Sequence, residues 1–499
     1  MSTSQPATPR TYGGWRRAKG MGLFGLGPGG TVAILAALTV AIITLSVSAA
    51  SMLVVGPVCA VVVTVTLVQW DGVTLGQALQ QRIRWLLGGR RTGWRGGVMA
   101  TGPHAWQLPG VLAPTELLRV DDGRGGGYGV VYHRRLKTTT VTWRCAAQST
   151  WLADADQAAA WVGNWGSWLA GLGHQQMVRH VAVTVETAPD TGSRLADHVA
   201  ARLAPDGPPA ARRILAQLVE ASPQAAADVA TWVSVTLHPF SSPARPRTVK
   251  QALGEVDRAL PGLADGLAGS GVTVLDLATP DELAATVRGA FDPASRAELA
   301  LLTAAGGEPG DALLGWDNAA PVAATEFRDR YEHDGARSVT WAWHEAPRQP
   351  VYHDVLSRLV SPGQHSKRVT LLYRPLPAAT AARVVEEQVN VAQFRAQYRR
   401  ARKLDPRARD IADQEQAVQA AREEALGAGV GRVCLFVTVT VDHNDDADDQ
   451  LATAVADVEA RAEAAKIRLR RLWHSQAAGF ATTLPCGICP PVLSRLWPH

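Results

Sequence analysis

Residues 20–70 contain no Asp, Glu, Lys or Arg, and 31–69 run almost without interruption through Ala, Val, Ile and Leu. As a single helix that core would be about 58 Å long at 1.5 Å per residue, roughly twice the ~30 Å hydrocarbon thickness of a bilayer. The stretch therefore predicts two crossings rather than one. Ser46, Ser48 and Ser51 cluster at its middle and mark the turn, giving spans at about 31–49 and 52–69. Gly56 and Pro57 fall inside the second span, where a membrane helix tolerates them. A cleaved signal peptide fits poorly, because its apolar region is far shorter and ends at a small-residue cleavage site. A hydrophobic core hairpin is the other reading of the same text.

Both flanks of this segment are basic. Arg16, Arg17 and Lys19 precede it, and Arg82, Arg84, Arg90, Arg91 and Arg95 follow it. Excess Lys and Arg mark the cytoplasmic side of a membrane protein and suit an anionic leaflet. The expectation is a multi-pass protein of the cell membrane, with a cytoplasmic tail at 1–30 and both termini on the cytoplasmic side. The text DGVTLGQALQQRIRWLLGGRR (71–91) carries Leu75, Leu79, Ile83 and Leu86 at helical spacing. It predicts an amphipathic juxtamembrane helix, or a stalk helix packed on the domain that follows, and 71–127 as a whole reads as helix plus connector.

The remaining residues are enough to bury a proper core, and 46% hydrophobic against 19% charged excludes intrinsic disorder. Five cysteines in 499 residues make no disulfide framework, which suits a reducing compartment. Period-2 apolar text predicts strands at 129–133, 138–145, 179–188, 231–238 and 272–277, with helices at about 152–171, 191–228 and 247–268. The second half runs similarly, with strands at 338–346, 367–376 and 432–441 and helices near 352–361, 377–427 and 446–471. Third strands and last helices recur about 200 residues apart. The fold class is thus α/β (α+β), in two tandem similar units at 128–300 and 321–499, joined near GGEPGD (306–311).

No chemical motif is complete. The phosphate-cradling G-x-x-x-x-G-K-[ST] loop of P-loop ATPases is missing. The Gly-rich DDGRGGGYG (121–129) leads into strand text rather than a helix, and so reads as a tight turn instead of a phosphate site. CGIC, with Cys486 and Cys489, has redox or metal spacing, but no second Cys pair accompanies it and Pro490 and Pro491 follow. The thirteen histidines show no H-E-x-x-H, and no serine sits in G-x-S-x-G. The expectation is no catalytic residue, no metal and no cofactor, and no direct nucleic-acid binding. Two surfaces remain as candidates for a partner. Trp161, Trp165 and Trp168 share one helix face, as core or as contact surface. YRRARK supplies Arg399, Arg400, Arg402 and Lys403, and the acidic DHNDDADD (442–449) is a second charged run suited to electrostatic docking.

The flank GGWRRAKGMGLFGLGPGG, the double span and the 71–91 helix resemble the PrgI-like and VirB membrane module of conjugation systems. The later text, with DDGRGGGYGVVY, STWLAD, MVRHVAVTVETAPD, SVTWAWHEAPRQ, KRVTLLYRPLP and SQAAGFATTLPCGICPP, is similar to a family of actinobacterial membrane proteins. Those are carried with conjugative elements beside a separate VirB-type ATPase, whose non-ATPase N-terminal region the sheet text also resembles. The resemblance implies a non-catalytic scaffold of a type IV secretion or conjugation apparatus. Its implied partners are the lipid bilayer, other membrane subunits in an oligomeric assembly, and a VirB-type motor ATPase docked at the cytoplasmic face. An EccE-like component of type VII secretion has similar architecture, and a membrane-anchored transferase is the reading from a different class.

Overall fold

The computed structural model describes residues 28–493 apart from 71, 90, 94–107, 122–126, 148–152, 190–198, 200–201, 205–206, 222–226, 306–313, 348, 402–407, 426, 428 and 445. The uncharged segment folds as α1 (Pro28–Val47) and α2 (Ala49–Leu67), both long and apolar enough to cross a membrane. They pack against each other as a hairpin. The turn falls at Ser48, whose backbone is extended at φ −161° and ψ 128°. Each helix therefore starts a few residues earlier than the hydropathy text suggests. The hydroxyls of Thr39, Thr44, Thr64 and Thr66 donate to carbonyls one turn back, at 2.9, 2.8, 2.8 and 2.9 Å. Every one of these polar groups is thus satisfied inside its own helix, as hydrocarbon surroundings require. The hairpin's outside, including Leu38, Ile42, Ile43, Leu53 and Val54, is exposed and apolar, a surface that water penalises.

A two-strand ribbon, β1 (Gln69–Trp70) with β2 (Val73–Thr74), connects α2 to α3 (Leu75–Leu87). The Leu75 N–H donates to the Val68 carbonyl at 3.0 Å, stitching the start of α3 to the end of α2. Thr74 and Gln77 close a reciprocal capping box at the helix start.

Next come β3 (Arg91–Gly93), β4 (Thr115–Asp121), β5 (Gly127–His133), β6 (Thr138–Ala147), α4 (Ala155–Leu172), β7 (Val178–Pro189), α5 (Pro209–Ala221) and β8 (Ala227–Leu237). They are followed by α6 (Val249–Ala268), β9 (Val272–Leu277), α7 (Pro280–Phe291) and α8 (Arg296–Ala305). The rest is β10 (Ala323–Glu326), β11 (Tyr331–His333), β12 (Ala336–Glu345), β13 (Ser366–Pro375), α9 (Ala378–Ala401), α10 (Ala408–Ala425), β14 (Gly431–Asp442), α11 (Ala447–Ala464), β15 (Arg468–Arg471) and α12 (Gln476–Thr482). Short helical turns lie between some of them.

All strands after the ribbon join one 13-stranded sheet in the order β3-β10-β11-β12-β14-β13-β7-β8-β6-β5-β4, with β15 added to β12 and β9 to β6. Every pairing is antiparallel. The order β5-β6-β8-β7 is repeated as β11-β12-β14-β13, and the two runs meet where β7 pairs β13. The sheet passes through this seam without a break.

Strand alternation sorts residues to two faces. On one face, Val130, Val141, Trp143, Val181 and Val235 are buried beneath α4 and α6. Val339, Trp341, Val437 and Val439 lie on the same face, under α11. The opposite face carries a band of buried hydroxyls in cross-strand pairs. Thr140–Thr236 (2.9 Å), Thr142–Ser234 (2.8 Å), Thr184–Thr370 (2.8 Å), Thr340–Thr438 (2.9 Å) and Ser338–Thr440 (2.8 Å) run from β6 to β12. Pairing lets each hydroxyl serve as its neighbour's partner, so the band can be covered without water. The cover is α12 and the segment up to Cys489. Gly487 (φ +67°) lies so close to the band that a Cβ there would stand 1.9 Å from Thr140 Oγ1.

Several expectations are adjusted. Part of the expected connector is sheet, because Thr115–Asp121 pairs fully with β5. The helix expected to run to 471 ends at Ala464, since Lys466 turns the chain at φ +57° and Arg468–Arg471 then joins β12. Of the helix expected near 352–361, only the single turn Ser357–Val360 forms.

The hydroxyl band yields a test. Thr184→Val alone strands the Thr370 hydroxyl in a buried site, at a cost of about 1–3 kcal/mol, whereas Thr184→Val with Thr370→Val is expected to recover most of that loss. Thermal midpoints of the purified protein should rank wild type and double variant above the single one. A single variant as stable as wild type would contradict the assigned pairing.

Candidate functional site

Beside the seam, on the hydroxyl face, lies a buried ionic cluster. Glu186 of β7 forms an ion pair with Arg296 in the first turn of α8, and Arg368 of β13 stands 3.6 Å away on its other side. Arg368 Nε also donates to Thr483 Oγ1 at 3.2 Å, and its guanidinium lies 4.8 Å from the Phe480 ring centre. Burial by itself would raise the Glu186 carboxyl, but the two guanidiniums outweigh it and hold the group below the ordinary carboxylate range. Burial lowers Arg368 to about 10, partly offset by Glu186.

Above this cluster opens a cleft of about 670 Å³, formed where β7 and β14 end and β8, β13, α8 and α11 begin. Its wall includes Arg296 together with Asp228, His365, Asp442, Asn444 and Asp449. Burial lowers the His365 imidazole, with Asp457 and Asp442 pulling the other way. Such a rim can hold a polar ligand or a charged peptide segment by hydrogen bonds and charge. Among the described residues, no group of three His, Cys, Asp or Glu side chains is placed to bind a metal ion.

The residues singled out in the sequence are dispersed. Trp168 is buried, its indole N–H donating to the Leu263 carbonyl at 3.1 Å, and its ring stacks on Trp165 at 5.0 Å. Trp161 closes on Gly271, so the three rings pack α4 onto α6 and the start of β9, with Trp161 and Trp165 half-buried. Cys486 and Cys489 are buried free thiols at opposite sides of Gly487, and burial pushes both above the ordinary thiol range. The acidic run gives Asp442 and Asp449 to the cleft. No signal in the sequence joined them to Arg296, since strand ends meet only through the sheet order.

Arg399 and Arg400 lie at the end of α9, which packs along α10 as a helical hairpin, and their side chains fall outside the described residues. Arg402 and Lys403 lie outside the described residues. Arg82 and Arg84 are exposed on α3. Arg16, Arg17, Lys19, Arg90 and Arg95 are outside the described residues, as is the Arg91 side chain, while the backbone of Arg91 pairs with Thr325. Most of the Gly-rich loop is also outside them.

Of the two readings of α3, the helix packed on the following domain finds its contacts in residues far along the chain, which the sequence did not identify. Gln81 Nε2 donates to Ser475 Oγ at 3.4 Å, and the Trp85 ring meets His474 edge-on at 5.1 Å. Gly72, at φ +75°, lies flush against His344. Two contacts from α3 and one from the ribbon before it thus tie the segment that leaves the apolar hairpin to the sheet domain.

No family model matches this chain, and no curated protein matches it.

Acid should destabilise the domain through its buried imidazoles. Burial lowers His333 to about 3 and His180 to about 4 from an ordinary 6.5. Below pH 6.5 the unfolded chain takes up protons that these folded imidazoles refuse, so stability falls with pH. Glu186 acts in the same direction further down, because its depressed value gives stability that is lost as the carboxylate protonates. The thermal midpoint is expected to drop steadily from pH 6.5 to pH 4, with a shallower slope in His180→Gln. A midpoint independent of pH across that range would refute the assignment.

Proposed function

We propose that this chain is a non-catalytic membrane scaffold of a type IV secretion or conjugation-like apparatus. In this reading α1 and α2 span the cell membrane, both termini are cytoplasmic, and the sheet domain presents a docking surface to a separate motor ATPase. The observation that carries it is the attachment of the hairpin's exit to the sheet domain at three points, Gly72 in the ribbon and Gln81 and Trp85 on α3. A domain held this way has a fixed position relative to the hairpin, which a scaffold needs and a free enzyme on a tether does not. The α9–α10 hairpin supports the same reading. Its first helix has 24 residues, about 36 Å at 1.5 Å per residue, and ends within the basic run 398–403, a feature suited to reaching an acidic partner.

We also infer that the two halves of the domain are duplicated units. The repeated strand order supports this, as do the hydroxyl pairs, since Thr140–Thr236 and Thr142–Ser234 have counterparts in Ser338–Thr440 and Thr340–Thr438.

Affinity purification of the tagged protein from detergent is expected to recover an ATPase and further membrane subunits. Replacing Arg399, Arg400, Arg402 and Lys403 by Glu should remove the ATPase while leaving membrane insertion and thermal stability intact. Recovery of a lone monomer that turns over a nucleotide would overturn the scaffold reading.

One observation favours a second reading, a membrane-anchored transferase. The cleft beside the seam is polar and contains the carboxylates of Asp228, Asp442 and Asp449. If it is an active site, Asp442→Asn with Asp449→Asn should abolish turnover of a nucleotide-linked substrate that the wild type processes. Under the scaffold reading, neither protein turns such substrates over.

A further inference from the structure

We propose that the edge of the sheet domain beside α3 is a binding site for the headgroup of an anionic phospholipid. The site is built from two parts of the chain that lie far apart in sequence. From α3 come Arg82 and Arg84, both exposed, on the turns around Trp85. From the domain comes the corner that Trp85 touches. There His474 donates its backbone N–H to the Arg328 carbonyl at 2.7 Å. The Arg328 guanidinium lies 5.1 Å from the centre of the Trp473 ring, and Arg471 lies 5.3 Å from the same ring. Trp85, His474, Arg328, Trp473 and Arg471 form one connected patch.

Charge at this corner is not balanced. Asp329 is engaged with Arg330 and Arg471, and Glu332 with Arg330 and Arg337. Arg82, Arg84 and Arg328 have no carboxylate partner among the described residues. The His474 imidazole feels the excess. Burial, then Arg328 and Arg82, push it below its ordinary value, so guanidiniums from both parts of the chain act on one ring.

Position selects the ligand. The reading of α1 and α2 as membrane spans is assumed here, and α3 is bonded to the end of α2 through Leu75 and Val68. Arg82 then lies at most about 10 Å along α3 from that boundary, which is close to the headgroup layer. Cations beside an indole ring, at this depth, match the chemistry of an anionic headgroup over an interfacial aromatic. A free phosphate would find the charge but not the reason for the apolar flank of Leu79, Ile83 and Leu86, which is exposed on the same helix.

The full chain, purified in a zwitterionic detergent, would be titrated with fluorescent phosphatidylglycerol and, separately, phosphatidylcholine. Phosphatidylglycerol is expected to bind at least tenfold more tightly. Each guanidinium near an anionic surface is worth about a fivefold change in affinity, so Arg82→Gln with Arg328→Gln should erase most of that preference. Both side chains are exposed, and an unchanged thermal midpoint would show that the variant is folded. Arg82→Lys with Arg328→Lys should retain the preference, since a headgroup phosphate accepts a point charge. Equal affinity for the two lipids would overturn the proposal. So would unchanged phosphatidylglycerol binding in the Gln variant, or full displacement of the lipid by inorganic phosphate. Alkaline carbonate extraction of the membranes separates the underlying reading from this one. Protein that resists extraction yet shows no lipid preference refutes the headgroup site alone, whereas protein released by carbonate removes the spans and the site together.

Discussion

The pairing of β7 with β13 is the constraint on which the rest of the sheet domain depends, because it turns two groups of strands into one surface. Seven register pairs, from Lys367↔Thr187 to Tyr373↔Val181, hold the seam. Thr184 and Thr370 face each other within it on the hydroxyl face, while Val185 and Val369 face the other way. If the seam were absent, both strands would become edges with unpaired backbone groups. The ionic cluster depends on it as well. Glu186 and Arg368 are register partners across the seam, and Arg296 reaches them from a helix that only this arrangement brings near. The cleft then follows as the gap left where four strands end at that seam.

Much of this was legible in the residues. Alternating text found β5 to β9 and β12 to β14, most of them to within two residues and β8 to within four, because their apolar faces turn toward the core. Strands without that pattern were missed. TELLRVD lies at the sheet edge and is half-buried, while Arg468–Arg471 is basic and joins only through β12. The hydroxyl band was visible as threonines, yet its meaning was not. A Thr in a strand reads as a solvent-facing residue until one knows that another element covers it. That cover, α12 through Cys489, looked like a terminal segment with a suggestive CGIC, and its burial comes from contacts with strands of both halves, from Thr438 to Thr140.

The candidate sites show the same division. Local features such as the basic flank of α3 and the Trp-bearing helix could be located from spacing. Composite features could not. The cleft takes its carboxylates from β8, β14 and α11, and the corner around Trp473 takes its charge from α3, the turn before β11 and the end of β15. Neither set is close in sequence, so no motif could carry them. The buried core chemistry also explains why the two cysteines are poor candidates for reactivity, since a thiol held above its ordinary range in an apolar layer lacks the thiolate that redox or metal chemistry needs.

The contact between Gln81 and Ser475 spans 394 residues of chain. During synthesis at about 5–20 residues per second, roughly 20–80 s pass between the emergence of α3 and that of its docking partner. The apolar hairpin is made before any strand of the sheet. Through that interval the hydroxyl band has no lid, and between the completion of β7 and that of β13 the seam has only one of its strands, so that open β edges persist. Crowding of several nascent copies would then favour wrong strand pairing between neighbours. A cell producing this protein gains from chaperones that act during translation rather than after release.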